Sequence, residues 1–570
     1  MKKGFILTVM LVSVLALGHS QAGSWNVTNV ATWVEAVGAI RSGGNNKEYV
    51  ITVNGNISVP SSTENTFGSV NGITVNIQGN GTLSLSANGT LLQIGTGQTV
   101  IAKDLTLRGR TDNNNSLVYV GKSATFRMEG SATVSGNTVN SRDGLGGGVY
   151  VIEGNFIMQD RATVKDNITQ YSDGGGVYIC GGNFTMQGSA SVSGNTAGNS
   201  GGGVCIFDLM SISFSDYSTI SKGVFIMQGN ALVSRNTAAE GGGVYICGGK
   251  NYSLRYFGGT FSMQGNASVS SNNATGYESG GGGVYINGDF TMRDNASVSG
   301  NTATGRYGSG GGIYIFNANR NFTMQTGTIS GNTATSHGGG VAGTLIMNGG
   351  TITGNTASRG GGVSGRVTMN DGVISGNTAS DAGGGVFSSS FTMRGGTISN
   401  NTATFHGGGV YNDWGIFTKT GGTIYGEDSD QSLKNIVISR LGYVVYDDKN
   451  SNWRNASAGP TMSSDSYGFW LNDGDLTMFP SSFTDSGFTT TWKRSNFNNT
   501  LSLTENTIKS SSSNYLWILQ RISGNAYTFK RSDAVNTMTL TIRLDGNSLV
   551  ISGDSGNGQD NWNGTWAKQR

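Results

Sequence analysis

The sequence predicts an all-β protein built as a parallel β-helix solenoid, followed by a small C-terminal antiparallel β-barrel. Three observations favour the solenoid. A Met, an Asn and a glycine triplet recur in this order ten times, the copies without insertions are about 22–24 residues long, and each copy holds three short segments of alternating apolar residues. Such short segments leave no room for helices, but they fit one coil with three strands, each pairing with its equivalent in the next coil.

The composition agrees with this fold and excludes several others. Glycine makes up 94 of 570 residues, while proline makes up 3 and charged residues 12%. Without proline or a Gly-X-Y period the chain is not collagen, and low charge with many apolar residues excludes disorder. The formal net charge is +2, and it falls to zero without Lys2 and Lys3. Nucleic acids and anionic membranes are bound through clusters of positive charge, so a neutral chain without basic patches is not expected to bind either.

Residues 1–22 are predicted to be a secretory signal peptide. Lys2 and Lys3 form its charged end, residues 5–17 its apolar stretch, and Ser20-Gln21-Ala22 its cleavage site. No later apolar run is long enough for a membrane helix. We therefore expect an exported protein, on the outer cell surface or in the extracellular space, with no transmembrane segment after signal removal.

The repeated Met and Asn predict the interior of each coil. In 322–324 the Phe and the Met share one face of a strand, so the Met row is expected in the core. Asn tolerates the left-handed region, and stacked Asn side chains can form hydrogen bonds along the axis. The Met row is Met128, Met158, Met186, Met227, Met263, Met292, Met324, Met347, Met369 and Met393, and the Asn row is Asn137, Asn167, Asn195, Asn236, Asn272, Asn301, Asn332, Asn355, Asn377 and Asn401.

Both ends of the solenoid carry segments of a different kind. The segment from Thr32 to Ile40 predicts a short amphipathic helix that covers the first coil, with Thr32 as its N-cap. Residues 488–570 hold about eight short strands separated by turn signals, which suits a small closed barrel. The predicted division is 23–110 for the cap and first coils, 111–465 for the repeats and last coils, 466–487 for a linker, and 488–570 for the barrel.

The motifs GGGVYI and FTMQGSASVSGNTA resemble the right-handed parallel β-helix repeat proteins of bacterial surfaces. The relation to polymorphic outer membrane proteins is looser, because those alternate GGAI-like and FxxN-like tetrapeptides where this chain has GGGV and SGNT. The resemblance covers about residues 25–465 and implies a right-handed coil. Residues 488–570 resemble the lipocalin-like modules that follow β-helices in some bacterial exported proteins.

Histidines and cysteines give no sign of a metal, a cofactor or a disulfide. His337 and His406 each lie just before a triplet, three coils or about 14 Å apart, which is too far to share a metal. Cys180 and Cys247 occupy one strand position two coils apart, about 9–10 Å, and Cys205 lies between them but two residues earlier. We expect exposed turn histidines and three free thiols.

Carboxylates before the triplets are the candidates for catalysis. Asp143, Asp173, Glu240, Glu278 and Asp381 lie there at differing offsets, which favours a solvent-exposed edge. Polysaccharide lyases and hydrolases also use β-helices and place carboxylates on one outer face. If the protein is an enzyme, Asp173 and Glu240 are the expected catalytic pair.

Two sets of aromatic residues are the candidates for binding. One is the outward-facing position of each strand after a triplet, aromatic in seven of ten copies, although stacking between strands explains such a row without any ligand. The other lies on two long segments in neighbouring coils, from Gly203 to Met227 and from Gly243 to Met263, which either bind a partner or pack on each other, and whose extra length is 208–221 and 250–258. The first set includes Tyr150, Tyr178, Tyr245, Tyr285, Tyr314 and Tyr411, and the second comprises Phe207, Phe214, Tyr217, Tyr252, Tyr256 and Phe257.

These observations favour a non-enzymatic, adhesin-like recognition scaffold whose partner is a host or matrix protein or a glycan. One alternative is a carbohydrate-active β-helix enzyme of the lyase or hydrolase type. The other is a carrier of lipid or another small ligand in the C-terminal barrel. The sequence leaves the oligomeric state open.

Overall fold

The fold is described from a computed structural model. The structure describes residues 21–62, 64–210, 220–248, 258–426, 432–438 and 444–447, and it also describes the backbone of strand segments between 470 and 568. The predicted signal sequence up to residue 20 and the predicted domain boundary at residue 465 lie outside the described residues.

The chain winds into a parallel β-solenoid of about 14 turns, and three large sheets run along it. Each full coil contributes four short strands, which stack on their equivalents in the next coil as four ladders. We name the ladders after typical residues, in the order in which the chain visits them: the Met ladder, the Ser-Val-Ser ladder, the Thr-Ala ladder and the Tyr ladder. The Met and Tyr ladders belong to one sheet of 25 strands, because three long strands in the last coils join them.

The Met ladder comprises Gln21–Val27, Glu48–Val53, Thr74–Gln78, Thr99–Lys103, Thr125–Glu129, Asn155–Met158, Asn183–Met186, Val224–Met227, Thr260–Met263, Asp289–Met292, Phe322–Met324, Leu345–Met347, Val363–Met369, Val386–Met393 and Val410–Lys419. The Tyr ladder shares the last three of these and adds Leu92–Ile94, Val118–Val120, Val149–Ile152, Val177–Cys180, Val204–Phe207, Val244–Cys247, Val284–Ile286, Ile313–Ile315, Val341–Ala342 and Val445–Asp447.

The Ser-Val-Ser ladder has 14 strands: Asn56–Val59, Thr82–Leu85, Thr106–Arg108, Thr133–Ser135, Thr163–Lys165, Ser191–Ser193, Leu232–Ser234, Ser268–Ser270, Ser297–Ser299, Thr328–Ser330, Thr351–Thr353, Val373–Ser375, Thr397–Ser399 and Thr423–Ile424. The Thr-Ala ladder has 11: Thr138–Val139, Ile168–Thr169, Thr196–Ala197, Thr237–Ala238, Asn273–Ala274, Thr302–Ala303, Thr333–Ala334, Thr356–Arg359, Thr378–Ala382, Thr402–Ala403 and Ile436–Val437.

The predicted three-stranded coil agrees with the three sheets, but the structure groups the strands differently. The two predicted strands 284–286 and 322–324 belong to ladders of the same sheet, and the third sheet is the Thr-Ala ladder, which the sequence analysis missed. Its strands are mostly two residues long, so they are too short to show an alternating pattern.

The core consists of identical side chains stacked from coil to coil. In the Met ladder, Phe156, Phe184 and Phe225 pair in register, and consecutive rings stack with centroids 4.8 Å apart. All ten residues of the predicted Met row have no exposed surface. The predicted position of the Met row in the core is therefore confirmed.

The Asn row forms a buried ladder parallel to the axis. Asn167 donates both its main-chain N–H and its Nδ2 to Oδ1 of Asn195, at 3.0 and 3.1 Å, and Asn195 bonds Asn236 in the same way. The pattern continues through every coil to Asn435. These bonds satisfy the polar groups at a bend inside the coil, and the predicted hydrogen bonding along the axis is confirmed. The left-handed conformation belongs to the residue before each Asn, as at Gly194 with φ +68°, and not to the Asn itself.

The triplets turn the chain from the Thr-Ala ladder into the Tyr ladder. Gly201, the first residue of its triplet, has φ +67°, a conformation that residues with a side chain rarely adopt. A Cβ at the second residue, Gly202, would collide with the main-chain oxygen of Thr237 in the next coil. Both positions therefore require glycine.

A single helix covers the first coil. Helix α1 spans Val30–Ser42 and buries Trp33, Ala36 and Ile40. Its N-cap is Asn29 and not the predicted Thr32, which occupies the third helical position and completes a capping box with Asn29. The described residues contain no helix that is long and apolar enough to cross a membrane.

Beyond residue 447 the structure describes only the backbone of strand segments. Trp470–Asn472 pairs with Asp475–Thr477. Eight further segments pair antiparallel, mostly in chain order: Thr489–Arg494, Thr500–Thr504, Thr507–Ser510, Trp517–Ser523, Ala526–Arg531, Thr537–Asp545, Ser548–Asp554 and Gly564–Lys568. The small barrel remains a prediction for this region.

Candidate functional site

The aromatic row of the Tyr ladder points away from the core, but its rings are packed against one another. Tyr150 meets Tyr178 edge to face at 5.4 Å, and Tyr245 stacks on Tyr285 at 4.5 Å, centroid to centroid. Tyr178, Tyr245 and Tyr285 are each at least nine-tenths buried. Burial raises the pKa of Tyr150 to about 12 and that of Tyr178 and Tyr245 further still. In the middle of this row the neighbouring rings cover the ring faces, so only the ring edges are accessible to a ligand.

Phe207 belongs to this aromatic row and not to the long segment after it. It lies in the strand Val204–Phe207, where its ring stacks on Tyr178 at 5.7 Å and lies tilted against Tyr245 at 5.9 Å, centroid to centroid. It fills the gap left where Cys205 takes the place of a Tyr. Phe207 also separates Cys180 from Cys247, which pair with it on either side.

The three cysteines are free thiols in this arrangement. Cys205 is fully buried, and burial raises the pKa of all three thiols above the ordinary value. None of them has the lowered pKa of a catalytic cysteine.

The two long segments are described only at their bases. Leu209–Met210 pairs antiparallel with Ile220–Ser221, and Asp208 Oδ1 accepts a hydrogen bond of 2.8 Å from the Gly223 N–H. The first segment therefore leaves the solenoid as a hairpin. Its predicted binding residues Phe214 and Tyr217, and Tyr252, Tyr256 and Phe257 of the second segment, lie outside the described residues.

The structure aligns Asp173 and Glu240 on the edge between the Thr-Ala and Tyr ladders. Each lies directly before a triplet, and Ser200 occupies the same position in the coil between them. Two coils separate their main chains by about 9–10 Å. The remaining carboxylates, Asp143, Glu278 and Asp381, stand at other positions, as the sequence analysis expected.

The two carboxyl groups differ in their hydrogen bonds. Asp173 Oδ1 accepts bonds from Asn199 Nδ2 at 2.8 Å and from the Ser200 N–H at 2.9 Å. Burial raises its pKa, although these bonds act in the opposite direction. Burial also raises the pKa of Glu240, and the charges of Asp173 and Glu278 raise it further. Among the described residues, no group donates a hydrogen bond to the Glu240 carboxyl.

Exposed tyrosines flank this pair of carboxylates, and the sequence analysis missed them. Tyr171 is 58% exposed and Tyr277 is 60% exposed, and three coils, about 14 Å, separate them along the same edge. In the two coils between them, Gly198 lies against the main chain of Gln170 and Tyr171, Ala239 lies against Gly276, and Asn199 is exposed, so this stretch carries no large side chain. We call this stretch of the edge, bounded by Tyr171 and Tyr277 and containing Asp173 and Glu240, the tyrosine notch.

The notch continues into the next coil. Tyr307 meets Tyr277 edge to face at 5.3 Å, and Arg306 lies 5.6 Å from the centre of the Tyr307 ring. At the other end, Arg142 lies 5.9 Å from the centre of the Tyr171 ring. The signal that could have revealed these residues is that Tyr171 and Tyr307 both stand three residues before a triplet.

The two histidines lie on the same edge, three coils apart as predicted, with Arg359 and Ala382 at the same position between them. They are half-buried, and not exposed as expected, because the edge packs around them. Burial lowers the pKa of both rings, and the Arg359 charge lowers that of His337 further. The described part of the chain contains no group of three or more His, Cys, Asp or Glu side chains that could hold a metal ion.

Comparison with known proteins gives no relative: the chain matches no family model, no curated protein and no solved structure.

Proposed function

We propose that the protein is an exported, non-enzymatic recognition scaffold of the adhesin type, and that it binds a glycan partner at the tyrosine notch. The observation that carries this proposal is the pair of exposed rings of Tyr171 and Tyr277 on a rigid edge. Exposed planar rings stack on the apolar faces of sugars, and neighbouring polar groups bind the hydroxyls. Asn199, Asp173 and Glu240 provide such groups between the two rings.

The scaffold supports this role because it holds the rings in fixed positions. The core and the buried Asn ladder fix each coil against the next, so the distance between Tyr171 and Tyr277 is set by three coils of solenoid. A preorganised surface loses little conformational entropy on binding.

Export, surface location, the right-handed coil and the lipocalin-like barrel are part of the same proposal. The N-terminal residues support export, since they combine a charged end, an apolar stretch and a cleavage site. The register of the first strand shifts between Gln21 and Gly23, so cleavage after Ala22 leaves the pairing of residues 23–27 intact. The antiparallel pairing of consecutive segments after residue 488 supports the barrel.

The glycan proposal is tested by glycan-array binding of the purified mature protein. Tyr171→Ala and Tyr277→Ala are expected to lower the affinity for any bound glycan at least tenfold, because each removes one stacking surface. Phe405→Ala is the matched control, since Phe405 is 52% exposed on the same edge but lies four coils beyond Tyr307. Equal losses in the control, or unchanged binding by both Tyr variants, would refute the notch as the binding site.

The second candidate function is glycan hydrolysis, and the hydrogen bonding of Asp173 and Glu240 favours it. Inverting glycosidases use two carboxyl groups roughly 6.5–9.5 Å apart, one as acid and one as base. Asp173, held by two hydrogen bonds, would remove a proton from the attacking water. Glu240, whose pKa is raised, would protonate the leaving oxygen as the C–O bond breaks. Cleavage of an array-bound glycan by the wild-type protein, lost in Asp173→Asn and in Glu240→Gln, would establish this function and reject the non-enzymatic one.

The long segments 208–221 and 250–258 remain a proposed second contact surface for a protein partner. Their aromatic residues and the hairpin base at Leu209–Met210 support it. Shortening both segments to the length of an uninterrupted coil is expected to leave the solenoid folded and to reduce binding to cells or matrix. A folded double deletion that still binds fully would exclude these segments.

A further inference from the structure

A polar groove runs along the turn between the Met ladder and the Ser-Val-Ser ladder, away from the tyrosine notch. Its volume is about 710 Å³ and it crosses five coils. One wall consists of Gln159, Gln187, Gln228 and Gln264, and Arg293 takes the same position in the fifth coil. The residues that follow them form the floor: Asp160, Gly188, Gly229, Gly265 and Asp294.

The glutamine wall is a hydrogen-bonded ladder. Gln187 Nε2 donates to Gln159 Oε1 at 3.1 Å, and Gln228 Nε2 donates to Gln187 Oε1 at 3.0 Å. Gln264 donates to Gln228 at 2.7 Å, and Arg293 donates to Gln264. Each amide in the middle of the ladder uses one N–H and one lone pair in this way, so one N–H and one lone pair remain for a ligand.

The floor has the same backbone conformation in every coil, whatever the residue. Asp160 and Asp294 have φ +56° and +59°, and the three glycines between them have φ +64° to +67°. Asp is one of the few residues that tolerate this left-handed conformation. The groove exists because the three middle coils have glycine where the end coils have a carboxylate.

The carboxylates at the two ends of the groove accept hydrogen bonds from main-chain N–H groups of the preceding coil. Asp160 Oδ2 accepts a hydrogen bond of 2.9 Å from the Gly130 N–H in the preceding coil, and Asp294 Oδ2 accepts one of 2.9 Å from the Gly265 N–H. Where the next coil has glycine, no such acceptor exists. Among the described residues, the main-chain N–H groups of Gly188 and Gly229 therefore have no hydrogen-bond acceptor.

We propose that this groove binds a carboxylate of a partner protein on the main-chain N–H of Gly188. The N–H groups of Gly188 and Gly229 lie in adjacent coils, about 4.8 Å apart, which is further than the two oxygens of one carboxylate, so one carboxylate accepts from one of them, as Asp160 does from the Gly130 N–H. The carboxylate takes the place that Asp160 and Asp294 occupy in the end coils. The ligand class is a peptide segment with one exposed Asp or Glu, whose neighbouring amides bind the free N–H and C=O positions of the glutamine wall.

The charges of the groove favour a single carboxylate over a polyanion. Asp160 directs its carboxylate towards Gly130 and away from the groove, but Asp294 places its own at the far end, next to Gly265. A ligand with many negative charges would meet Asp294, whereas one carboxylate on the Gly188 N–H lies at the level of Gly229 and stays two coils, about 10 Å, away from it. An otherwise uncharged peptide fits this arrangement.

The test uses the mature full-length protein and a labelled peptide with one Asp among Ser and Asn residues, compared with the same peptide carrying Asn instead. Fluorescence polarisation is expected to show at least tenfold tighter binding of the Asp peptide. The double variant Gly229→Asp with Gly265→Asp supplies carboxylates to the Gly188 and Gly229 N–H groups from within the chain. It is expected to bind both peptides equally weakly.

Gly331→Asp is the matched control. Gly331 also has a positive φ, +62°, and open space around its Cβ position, but it lies on a different turn. This variant is expected to keep the preference for the Asp peptide. Equal binding of the two peptides to the wild type, no saturable binding of the Asp peptide, or a preference that survives in the folded double variant would overturn the proposal. Tighter binding of an oligogalacturonate than of the Asp peptide would overturn the choice of a protein partner. Because the tyrosine notch is unchanged in these variants, the result is independent of the proposed function.

Discussion

Replacing Asn332 with Ala tests whether the buried Asn ladder holds neighbouring coils together. Its Oδ1 accepts hydrogen bonds from the main-chain N–H and the Nδ2 of Asn301, at 3.0 and 2.9 Å. Its Nδ2 donates to the main-chain oxygen of Val298 at 3.0 Å and to Oδ1 of Asn355 at 2.9 Å. The side chain has no exposed surface, so water cannot replace these partners in the folded state.

The cost follows from the number of bonds. A buried hydrogen bond contributes about 1 kcal/mol, and a buried partner left without a bond costs about as much or more. Four lost bonds therefore lower the local free energy of unfolding by about 4 kcal/mol. Since 1.4 kcal/mol is a factor of ten, the coil is expected to open roughly a thousand times more often.

Hydrogen exchange with mass spectrometry measures this opening coil by coil. Peptides covering the coils of Val298, Asn332 and Asn355 are expected to exchange faster, while coils near the cap helix stay unchanged. Asn332→Asp is expected to give no rescue, because a carboxylate accepts but cannot donate to Val298 and Asn355.

The matched control is Asn266→Ala, which removes an exposed rung of a second amide row. Asn266 bonds Asn230 at 3.0 Å and accepts from Asn295 at 3.2 Å. Because water reaches these groups, the expected cost is below about 0.5 kcal/mol. If Asn332→Ala opens its coil no more than Asn266→Ala does, the ladder does not stabilise the solenoid and the reasoning fails.

Three further predictions concern the core, the thiols and the notch. Ile352→Asp buries an unpaired charge at a position with no exposed surface and is expected to lower the free energy of unfolding, measured in urea, by several kcal/mol. The same change at the half-exposed neighbour, Thr351→Asp, is expected to lower it only slightly. Equal losses would contradict the inward assignment of Ile352. In the native protein at pH 8, iodoacetamide is expected to leave Cys205 unmodified and to alkylate Cys180 and Cys247 only slowly, since their raised pKa lowers the thiolate fraction. Denatured protein without reductant is expected to yield three alkylated thiols. Alkylation that requires prior reduction would reveal a disulfide. Glu240→Gln is expected to raise the melting temperature at pH 8 but not at pH 4. The folded pKa of Glu240 lies above its unfolded pKa, so the stability that this group contributes is present below about pH 4.3 and is lost as the pH rises through the folded pKa. An equal gain at both pH values would contradict the raised pKa.

The interior of the solenoid could be predicted from the sequence because it repeats. Met158 and Met186 occupy the same step of their copies, and Asn167 and Asn195 follow each after the same nine residues. The distance is nine residues in the first six copies and eight in the last four, so it varies by a single residue over the ten copies and the register of the two rows is fixed. The buried Met row and the Asn ladder could both be predicted for this reason.

The outer edge could not be predicted in the same way, because its length varies between copies. Tyr277 stands four residues before its triplet, whereas Tyr171 and Tyr307 stand three residues before theirs. Residue counts therefore align Tyr171 with Tyr307 but do not place Tyr277 on the same edge. Alternation predicted correctly that Tyr178 points outward, but it could not show that stacking at the spacing of one coil buries most of the ring.

Both proposed sites lie where the repeat omits a side chain. In a solenoid each coil presents the same position every 4.8 Å or so, hence a run of small residues between larger ones makes a concave surface without any change of backbone. Between Tyr171 and Tyr277, Gly198 and Ala239 leave the edge without a large side chain. In the groove, Gly188, Gly229 and Gly265 lower the turn between the two aspartates and uncover main-chain N–H groups as well. The backbone of the groove stays regular, with the same left-handed turn in all five coils, whereas the edge at the notch varies in length between copies. The ladders and the buried Asn row hold the coils together in both places. Such a fold can change its ligands by exchanging single side chains on one turn, while the core that holds the coils together remains the same.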